Sequence, residues 1–171
     1  PHWPLIRGIV ETIGGTVVDA PYSESVEDPD SALTPLITDK TRAIYLANPN
    51  NPDGQILDAS KARRLYDYAK KKNLFLISDE AYDHLVYDQN EKISLAALDK
   101  GEDRPRVISV FTFSKSFGMA GMRVGYVVGP ADVVTYVRRV STHQIYDLSD
   151  LNQGAALAAL RQPSEEYDRY L

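Results

Sequence analysis

The tract 112–125 contains one lysine among hydroxyls, glycines and an arginine, and it directly follows an apolar run typical of a β-strand. The amine of Lys115 can form a Schiff base with an aldehyde cofactor. The hydroxyls of Thr112 and Ser114 and nearby backbone N–H groups can hold a phosphate, and the guanidinium of Arg123 can pair with it through two hydrogen bonds. These residue types favour a cofactor site, and a Ser/Gly turn with a solvated lysine is the alternative interpretation of this tract alone.

A second polar tract, residues 48–54, reads Asn-Pro-Asn-Asn-Pro-Asp-Gly. Two prolines and a glycine among asparagines predict a rigid loop, in which an Asn-Pro bond is a candidate for the cis form. A side-chain amide on such a support can donate a hydrogen bond to a phenolate-like oxygen of a ligand. For this tract alone, an ordinary surface turn is the favoured interpretation.

The third polar tract, residues 78–82, follows the apolar run 74–77. A carboxylate at the end of a buried strand is costly unless it is paired, so we expect Asp79 to have a cationic or hydrogen-bonding partner, and a protonated heteroaromatic nitrogen would serve. A helix N-cap or a structural ion pair is the commoner role for an isolated aspartate. Tyr82 has the simpler interpretation of half-buried packing with its hydroxyl in water, and Glu80 is predicted to be a solvated neighbour of Asp79.

Three apolar runs, at residues 43–47, 74–77 and 107–111, predict strands. The first is apolar almost throughout, which is typical of a strand buried on both faces of a parallel sheet. Each run is followed at once by one of the three polar tracts. Because ligands collect beyond the carboxyl ends of strands in open α/β sheets, we expect the tracts to converge on one pocket.

The remaining elements alternate with these strands. Asp58 is the predicted N-cap of a helix that ends at the basic run 70–72. Further helices are expected at 5–13, 31–37, 130–139 and 152–160, further strands at 16–18 and 123–128, and a loop at 22–29. Alternating strands and helices predict an α/β architecture with a largely parallel sheet.

Composition narrows the class of protein. A chain of 171 residues can bury one sizeable core, which predicts a single domain. The formal charge of -5 without a basic patch argues against binding to nucleic acid or to a membrane surface. The absence of cysteine excludes disulfides and thiolate chemistry, and three separated histidines make a weak case for a metal, so none is predicted. Because no apolar stretch has membrane-spanning length and no secretion signal is visible, a soluble cytoplasmic protein is expected.

Together, the three tracts resemble the fold-type I pyridoxal-phosphate enzymes, specifically the class I/II aminotransferases. The family pattern is Asn-Pro-x-Asn-Pro-x-Gly, then Asp-x-x-Tyr, then Ser/Thr-x-Ser-Lys with x-x-Gly-x-x-Gly-x-Arg-x-Gly, and all three parts occur here in that order. The segments 112–115 and 118–121 most resemble the histidinol-phosphate aminotransferase-like branch. The resemblance implies a three-layer α/β/α fold with a mostly parallel sheet, and pyridoxal 5'-phosphate as the cofactor.

The resemblance assigns a role to each matching residue. It implies that Lys115 forms the internal aldimine and then moves the α-proton of the substrate. It implies that Asp79 faces the pyridine nitrogen and keeps it protonated, so that the ring accepts electrons. It makes Asn51 and Tyr82 hydrogen-bond partners of the phenolic oxygen of the ring, and it counts Tyr82 with Lys115 and Asp79 among the catalytic residues. The residues implied to hold the phosphate are Thr112, Ser114 and Arg123.

The family's complete chains are longer than this one. Residues 1–171 are therefore expected to be the core of the cofactor-binding large domain, without the N-terminal phosphate-binding turn and the C-terminal small domain. The start at Pro1 rather than at a methionine agrees with this expectation. The resemblance also implies amino-acid and 2-oxo-acid substrates and a homodimer. Asp53 stands where the family usually has threonine, which predicts a change in the loop 48–54.

Two alternatives are compatible with the same residues. A lyase, decarboxylase or cyclase of the same fold would use the same cofactor and differ in the fate of the carbanion. A non-catalytic fragment or regulatory module would keep the scaffold for binding a ligand or a partner. The presence of Lys115, Asp79 and Arg123 together favours the enzyme, because a purely structural role requires none of them.

Overall fold

A computed structural model describes residues 2–87 and 92–162. Within these residues the chain forms a four-stranded sheet in the order β1-β2-β3-β4. The strands are β1 Ala43–Ala47, β2 Phe75–Asp79, β3 Val107–Thr112 and β4 Gly125–Val128. The first three strands run parallel, and β4 pairs with β3 in the antiparallel direction. This arrangement confirms the predicted α/β class and the mostly parallel sheet.

Seven α-helices accompany the sheet in the described part of the chain. They are α1 Leu5–Thr12, α2 Tyr22–Glu27, α3 Pro29–Leu33, α4 Ala59–Lys71, α5 Phe113–Ser116, α6 Ala131–Ile145 and α7 Asp150–Leu160. Asp58 caps α4 as predicted, because its side chain accepts a 2.8 Å hydrogen bond from the backbone N–H of Lys61. In the part of the chain that the structure describes, no helix combines the length and the hydrophobicity of a transmembrane segment.

Two predictions for the N-terminal region are wrong. Residues 16–18, predicted as a strand, pair with no strand in the described structure, and Val18 is exposed there. The predicted loop 22–29 instead contains α2, because packing of Val26 into the core stabilises a helical turn. The side chain of Asp28 then caps α3, whose first residue is a proline with a φ angle suited to a helix start.

The main hydrophobic core lies between one face of the sheet and α4. Leu46 and Leu76 contribute from the sheet, and Leu65, Tyr66 and Ala69 contribute from the helix. All five side chains are almost or completely buried. We refer to this side of the sheet as the covered face.

The opposite side, the open face, is less well packed. Strand alternation places Tyr45, Ile77, Asp79 and Val110 on it. Val110 keeps 36% of its surface exposed, and the other three are partly buried. Asp79 therefore lies on the open face at the carboxyl end of β2.

A smaller apolar cluster supports the lysine tract. Phe113 in α5 packs with Val124 and with Ala156 in α7. The backbone N–H of Phe113 also donates to the carbonyl oxygen of Val124 at 3.1 Å. These contacts join α5 to the beginning of β4 and to α7, and they set the position from which Lys115 projects.

Candidate active site

The three polar tracts meet at the carboxyl edge of the sheet. The backbone N–H of Asn48 donates to the carbonyl oxygen of Asp79 at 2.9 Å, and the N–H of Glu80 donates to that of Val110, also at 2.9 Å. These bonds continue the parallel ladders past the ends of β1 and β2. The first two tracts therefore begin side by side, and the third follows directly from the adjacent strand β3.

Asn48 anchors the loop 48–54 to the protein interior. Its side chain is fully buried; Oδ1 accepts from the backbone N–H of Leu57 and Nδ2 donates to the carbonyl oxygen of Ile93, both at 3.0 Å. The Asn48–Pro49 and Asn51–Pro52 peptide bonds are both cis, in agreement with the prediction that an Asn-Pro bond in this loop is a candidate for the cis form. The path of the loop thus depends on a buried amide, a contact that turn patterns in the sequence do not reveal.

Three of the predicted site residues, one from each tract, come together. Nδ2 of Asn51 donates to the hydroxyl oxygen of Tyr82 at 3.1 Å. The Nζ atom of Lys115 lies 5.8 Å from the centre of the Tyr82 ring. Lys115 is exposed, and among the residues that the structure describes it has no carboxylate within ion-pair distance. A primary amine of this kind can react with a carbonyl group.

Asp79 has the hydrogen-bonding partners that a carboxylate at the end of a strand requires. Its Oδ1 accepts from the backbone N–H of Ala81 at 3.1 Å, and its Oδ2 accepts from the hydroxyl of Tyr45 at 2.7 Å. The partner Tyr45 was not identified from the sequence. Strand periodicity could have indicated it, because Tyr45 lies on the same face of β1 as the Asp79 partner, Ala47.

The prediction that Glu80 is solvated is wrong, because Glu80 is fully buried. The alternation of strand side chains turns Glu80 to the covered face, opposite to Asp79. There, Nζ of Lys92 lies 2.6 Å from its Oε2. Its Oε1 accepts hydrogen bonds from three hydroxyls, those of Ser94 at 2.7 Å, Ser109 at 2.8 Å and Ser78 at 3.3 Å. Glu80 therefore belongs to a buried, hydrogen-bonded ion pair, and the two adjacent acids lie in different environments.

A polar contact attaches the lysine helix to the tract that contains Tyr82. The buried hydroxyl of Ser116 in α5 donates to Oδ1 of Asp83 at 3.1 Å. Because Ser116 is next to Lys115 and Asp83 is next to Tyr82, this bond limits the relative movement of the amine and the phenol. Residue spacing alone could not have predicted it.

The residues expected to hold a phosphate are only partly assembled. Oγ1 of Thr112 accepts from the backbone N–H of Ser114 at 3.1 Å and donates to Oγ of Ser114 at 2.9 Å. The exposed guanidinium of Arg123 donates to the carbonyl oxygen of Ala120 at 2.9 Å and is not hydrogen-bonded to either hydroxyl. Thr112 pairs with Gly125 across β3 and β4, so Arg123 is two residues from that pair.

No group of three or more histidine and acidic side chains in residues 2–87 and 92–162 is placed to hold a metal ion. The predicted site residues supply an amine, a carboxylate, an amide, a phenol and two hydroxyls, and Arg123 supplies a guanidinium that is not hydrogen-bonded to these hydroxyls. This set can bind an organic ligand that carries a phosphate, a ring with a protonated nitrogen and an electrophilic carbon.

The carboxylate of Asp53 stabilises the loop 48–54 through hydrogen bonds. Its Oδ1 accepts from Nδ2 of Asn50 at 2.8 Å and from the backbone N–H of Gln55 at 3.2 Å, and its Oδ2 accepts from Nε2 of Gln55 at 3.0 Å. Partial loss of hydration raises the pKa of Asp53, but these hydrogen bonds outweigh it and hold the pKa below its ordinary value. The ionised side chain therefore stabilises the turn between Asn50 and Gln55.

We expect Asp53→Ala to loosen this turn without unfolding the protein. The backbone N–H of Gln55 loses its acceptor, so its hydrogen exchange should become about five-fold faster, the effect of losing one hydrogen bond. The folded-state pKa is lowered, so the protection should be complete above about pH 4, the ordinary aspartate value, and decline as the pH falls through the folded-state pKa. Hydrogen-exchange mass spectrometry at neutral and acidic pH measures both effects.

The matched control for this prediction is Asp53→Asn, which keeps one acceptor oxygen but cannot titrate. In this variant, the hydrogen-exchange rate of the Gln55 backbone N–H should lie between the rates in the parent and in Asp53→Ala. Acid should not reduce its protection by protonating residue 53, because the amide side chain does not titrate. Equal exchange in the parent and in Asp53→Ala would show that the carboxylate does not stabilise the turn.

Known proteins with a similar sequence or fold were found in three comparisons. The profile of the family described as aminotransferase class I and II matches residues 1–170. The chain is 35% identical over 171 residues to an aspartate aminotransferase of Musicola paradisiaca. This alignment covers 97% of this chain and 42% of that protein. It is 36% identical over 162 residues to an aspartate aminotransferase of Thermotoga maritima. This alignment covers 94% of this chain and 42% of that protein.

The solved structure of an aromatic aminotransferase from Pyrococcus horikoshii has the same fold, with a TM-score of 0.88 at 30% identity over 99% of this chain and 46% of that chain. An aspartate aminotransferase variant of Thermus thermophilus gives a TM-score of 0.85, also at 30% identity, over 99% of this chain and 46% of that chain. The chain thus spans less than half the length of these relatives.

Proposed function

Because the chain belongs to the class I and II aminotransferase family, we propose that it forms the cofactor-binding core of a pyridoxal-phosphate-dependent aminotransferase. One observation carries the proposal. The amide of Asn51, the phenol of Tyr82 and the amine of Lys115 meet at one place, although they come from three separate tracts. A purely structural module has no need of an exposed amine beside such a pair.

The polar groups at the site fit pyridoxal phosphate. When bound, this cofactor supplies an aldehyde carbon and an electron-accepting pyridinium ring. Lys115 offers the amine for covalent attachment, and Asp79 offers a carboxylate for the ring nitrogen. Because Asn51 donates to the oxygen of Tyr82, the O–H proton of Tyr82 is directed away from that bond and can be donated to the phenolic oxygen of the cofactor.

The phosphate would bind at the hydroxyls of Thr112 and Ser114 and at the guanidinium of Arg123. The two hydroxyls are already adjacent. Arg123 uses one of its five N–H donors on a backbone carbonyl, so it retains the pair of donors that a phosphate accepts side by side. In this assignment, the two hydroxyls are already hydrogen-bonded to each other. The cation, Arg123, is near them in the sequence.

Lys115 would have a second role in catalysis. With the cofactor and an amino substrate bound, the Nζ atom of Lys115 would act as the base that takes the proton from the α-carbon of the substrate and returns it at another carbon. The bond between Ser116 and Asp83 limits the movement of α5. This hydrogen bond therefore helps to hold Lys115 in position for the proton transfer.

The substrates in this proposal are an amino acid and a 2-oxo acid, between which the amino group is exchanged. The names of the relatives, aspartate and aromatic amino acid aminotransferases, support this class of substrate. A homodimer in the cytoplasm and the role of residues 1–171 as the core of the large domain are parts of the same proposal, supported by family membership. The resemblance to the histidinol-phosphate aminotransferase-like branch stays a prediction.

Reductive trapping tests the proposal. Pyridoxal phosphate is added to the native full-length polypeptide, the mixture is reduced with borohydride, and the labelled lysine is located by peptide mass spectrometry. We expect one adduct, on Lys115. Label spread over surface lysines, or no label, would overturn the assignment and favour the non-catalytic module.

Product analysis of the same protein distinguishes transamination from the other reactions of this fold. With an amino acid and a 2-oxo acid supplied together, a transaminase converts each into the other class of compound in equal amounts. Release of carbon dioxide, or loss of an amino-acid side chain without a new amino acid, would favour the decarboxylase or lyase alternative.

A further inference from the structure

The carboxylate of Asp79 is held by a residue of the neighbouring strand. Tyr45 lies on the same open face of the sheet, and Ala47, two residues further along β1, is the register partner of Asp79. Tyr45 and Asp79 are therefore diagonal neighbours on one face of the parallel pair β1 and β2. The hydroxyl of Tyr45 accordingly donates to Oδ2 of Asp79 at 2.7 Å.

We propose that Tyr45 is a positioning residue of the cofactor site, which orients the carboxylate of Asp79 toward the nitrogen of the pyridine ring. The inference rests on the proposed function, because it requires a ring nitrogen opposite Asp79. Tyr45 acts through Asp79 and does not itself need to touch the cofactor or the substrate.

Two donors fix the carboxylate of Asp79 through different oxygens. Oδ1 accepts from the backbone N–H of Ala81, and Oδ2 accepts from Tyr45. A carboxylate has about four lone-pair sites, so each oxygen can still accept another donor. With both oxygens tethered, the direction of the remaining lone pairs is set before a ligand arrives, which is the preorganisation that a precise binding site requires.

Tyr45 is suited to donate this hydrogen bond. Burial, reinforced by the hydrogen bond to Asp79, raises the pKa of Tyr45 above its ordinary value, so the phenol stays protonated at neutral pH. A hydrogen bond from a hydroxyl to a carboxylate is short and strong. Unlike a lysine or an arginine, a neutral phenol orders the carboxylate without supplying a compensating positive charge. The negative charge of Asp79 is therefore left for the protonated ring nitrogen.

The substitution Tyr45→Phe keeps the aromatic ring and removes the donor. In the native full-length polypeptide, we expect the dissociation constant for pyridoxal phosphate, measured by spectroscopic titration, to rise about tenfold, the effect of losing a hydrogen bond to a charged group. The 1-deaza analogue, which lacks the ring nitrogen, should bind the parent and Tyr45→Phe equally well. In an Asp79→Asn background, Tyr45→Phe should have little further effect, because the two residues act as a unit.

The matched control is Tyr22→Phe. The hydroxyl of Tyr22 is buried and has no hydrogen-bond partner among the described residues, so its removal tests the general effect of deleting a tyrosine hydroxyl. The affinity of Tyr22→Phe for pyridoxal phosphate should equal that of the parent. Thermal unfolding of both variants, with a melting temperature near that of the parent, establishes that the comparison is made between folded proteins.

Two results would overturn the inference. One is an unchanged affinity of Tyr45→Phe for pyridoxal phosphate. The other is an equal loss of affinity for pyridoxal phosphate and for the 1-deaza analogue, which would indicate a general packing effect. The parent protein separates the two proposals. If it does not bind the cofactor, the proposed function and this inference both fail; if it binds the cofactor at Lys115 while Tyr45→Phe has no effect, only this inference fails.

Discussion

Lys115→Ala is expected to abolish covalent attachment of pyridoxal phosphate and to slow amino-group transfer by at least about 10³-fold. A positioned base alone contributes roughly 10²–10⁴-fold to a proton transfer. In the proposed mechanism the same nitrogen also attaches the cofactor, so one substitution removes both functions. Single-turnover kinetics in the native full-length polypeptide, together with borohydride trapping, measure the two losses separately.

Lys72 provides the matched control for this prediction. Its Nζ atom also lies 5.8 Å from the centre of a tyrosine ring, that of Tyr68, but it lies at the end of α4, outside the three polar tracts. Lys72→Ala should keep the trapping and the rate of the parent. If Lys115→Ala retained more than about a tenth of the parent rate, Lys115 could not be the base that the proposed mechanism requires.

The largest expected loss of stability is at the buried ion pair between Glu80 and Lys92. Glu80 is fully buried, and the side chain of Lys92 is 11% exposed. Lys92→Met leaves the carboxylate buried without its counter-charge, so the free energy of unfolding should fall by about 3–5 kcal/mol. Urea denaturation followed by circular dichroism measures this change.

The exposed pair between Lys70 and Glu102 is the control for this second prediction. Its Nζ–Oε2 distance of 2.7 Å is close to that of the buried pair, but its side chains are 48% and 26% exposed. Lys70→Met should therefore cost no more than about 1 kcal/mol. The double variant Glu80→Gln with Lys92→Met should be more stable than Lys92→Met alone, because the neutral amide removes the unpaired charge and can still accept from the serine hydroxyls. A cost below about 1 kcal/mol for Lys92→Met would contradict the prediction.

Local patterns in the sequence were sufficient to predict the main secondary-structure elements that position the site. The apolar runs at 43–47, 74–77 and 107–111 correspond to β1, β2 and β3, and Asp58 caps α4. Such patterns work because strand burial and helix capping depend on residues that are close together in the chain. The failures at 16–18 and 22–29 have the opposite cause. Whether residues 16–18 pair with the edge of a sheet depends on distant parts of the chain. Whether Val26 in the polar segment 22–29 becomes buried depends on them as well.

The sequence by itself determined which residues could do chemistry and that their tracts follow successive strands, because residue type and strand order are properties of the chain. Only the tertiary structure decided the partner of each polar side chain. Tyr45 and Asp79 are 34 residues apart, and the hydrogen bond between them depends on the register of β1 against β2. Asp79 and Glu80 are adjacent in sequence, yet one lies on the open face at the candidate site and the other in a buried ion pair. Their separation follows from strand alternation, but the groups that meet each carboxylate are set by packing among segments that are distant in the chain.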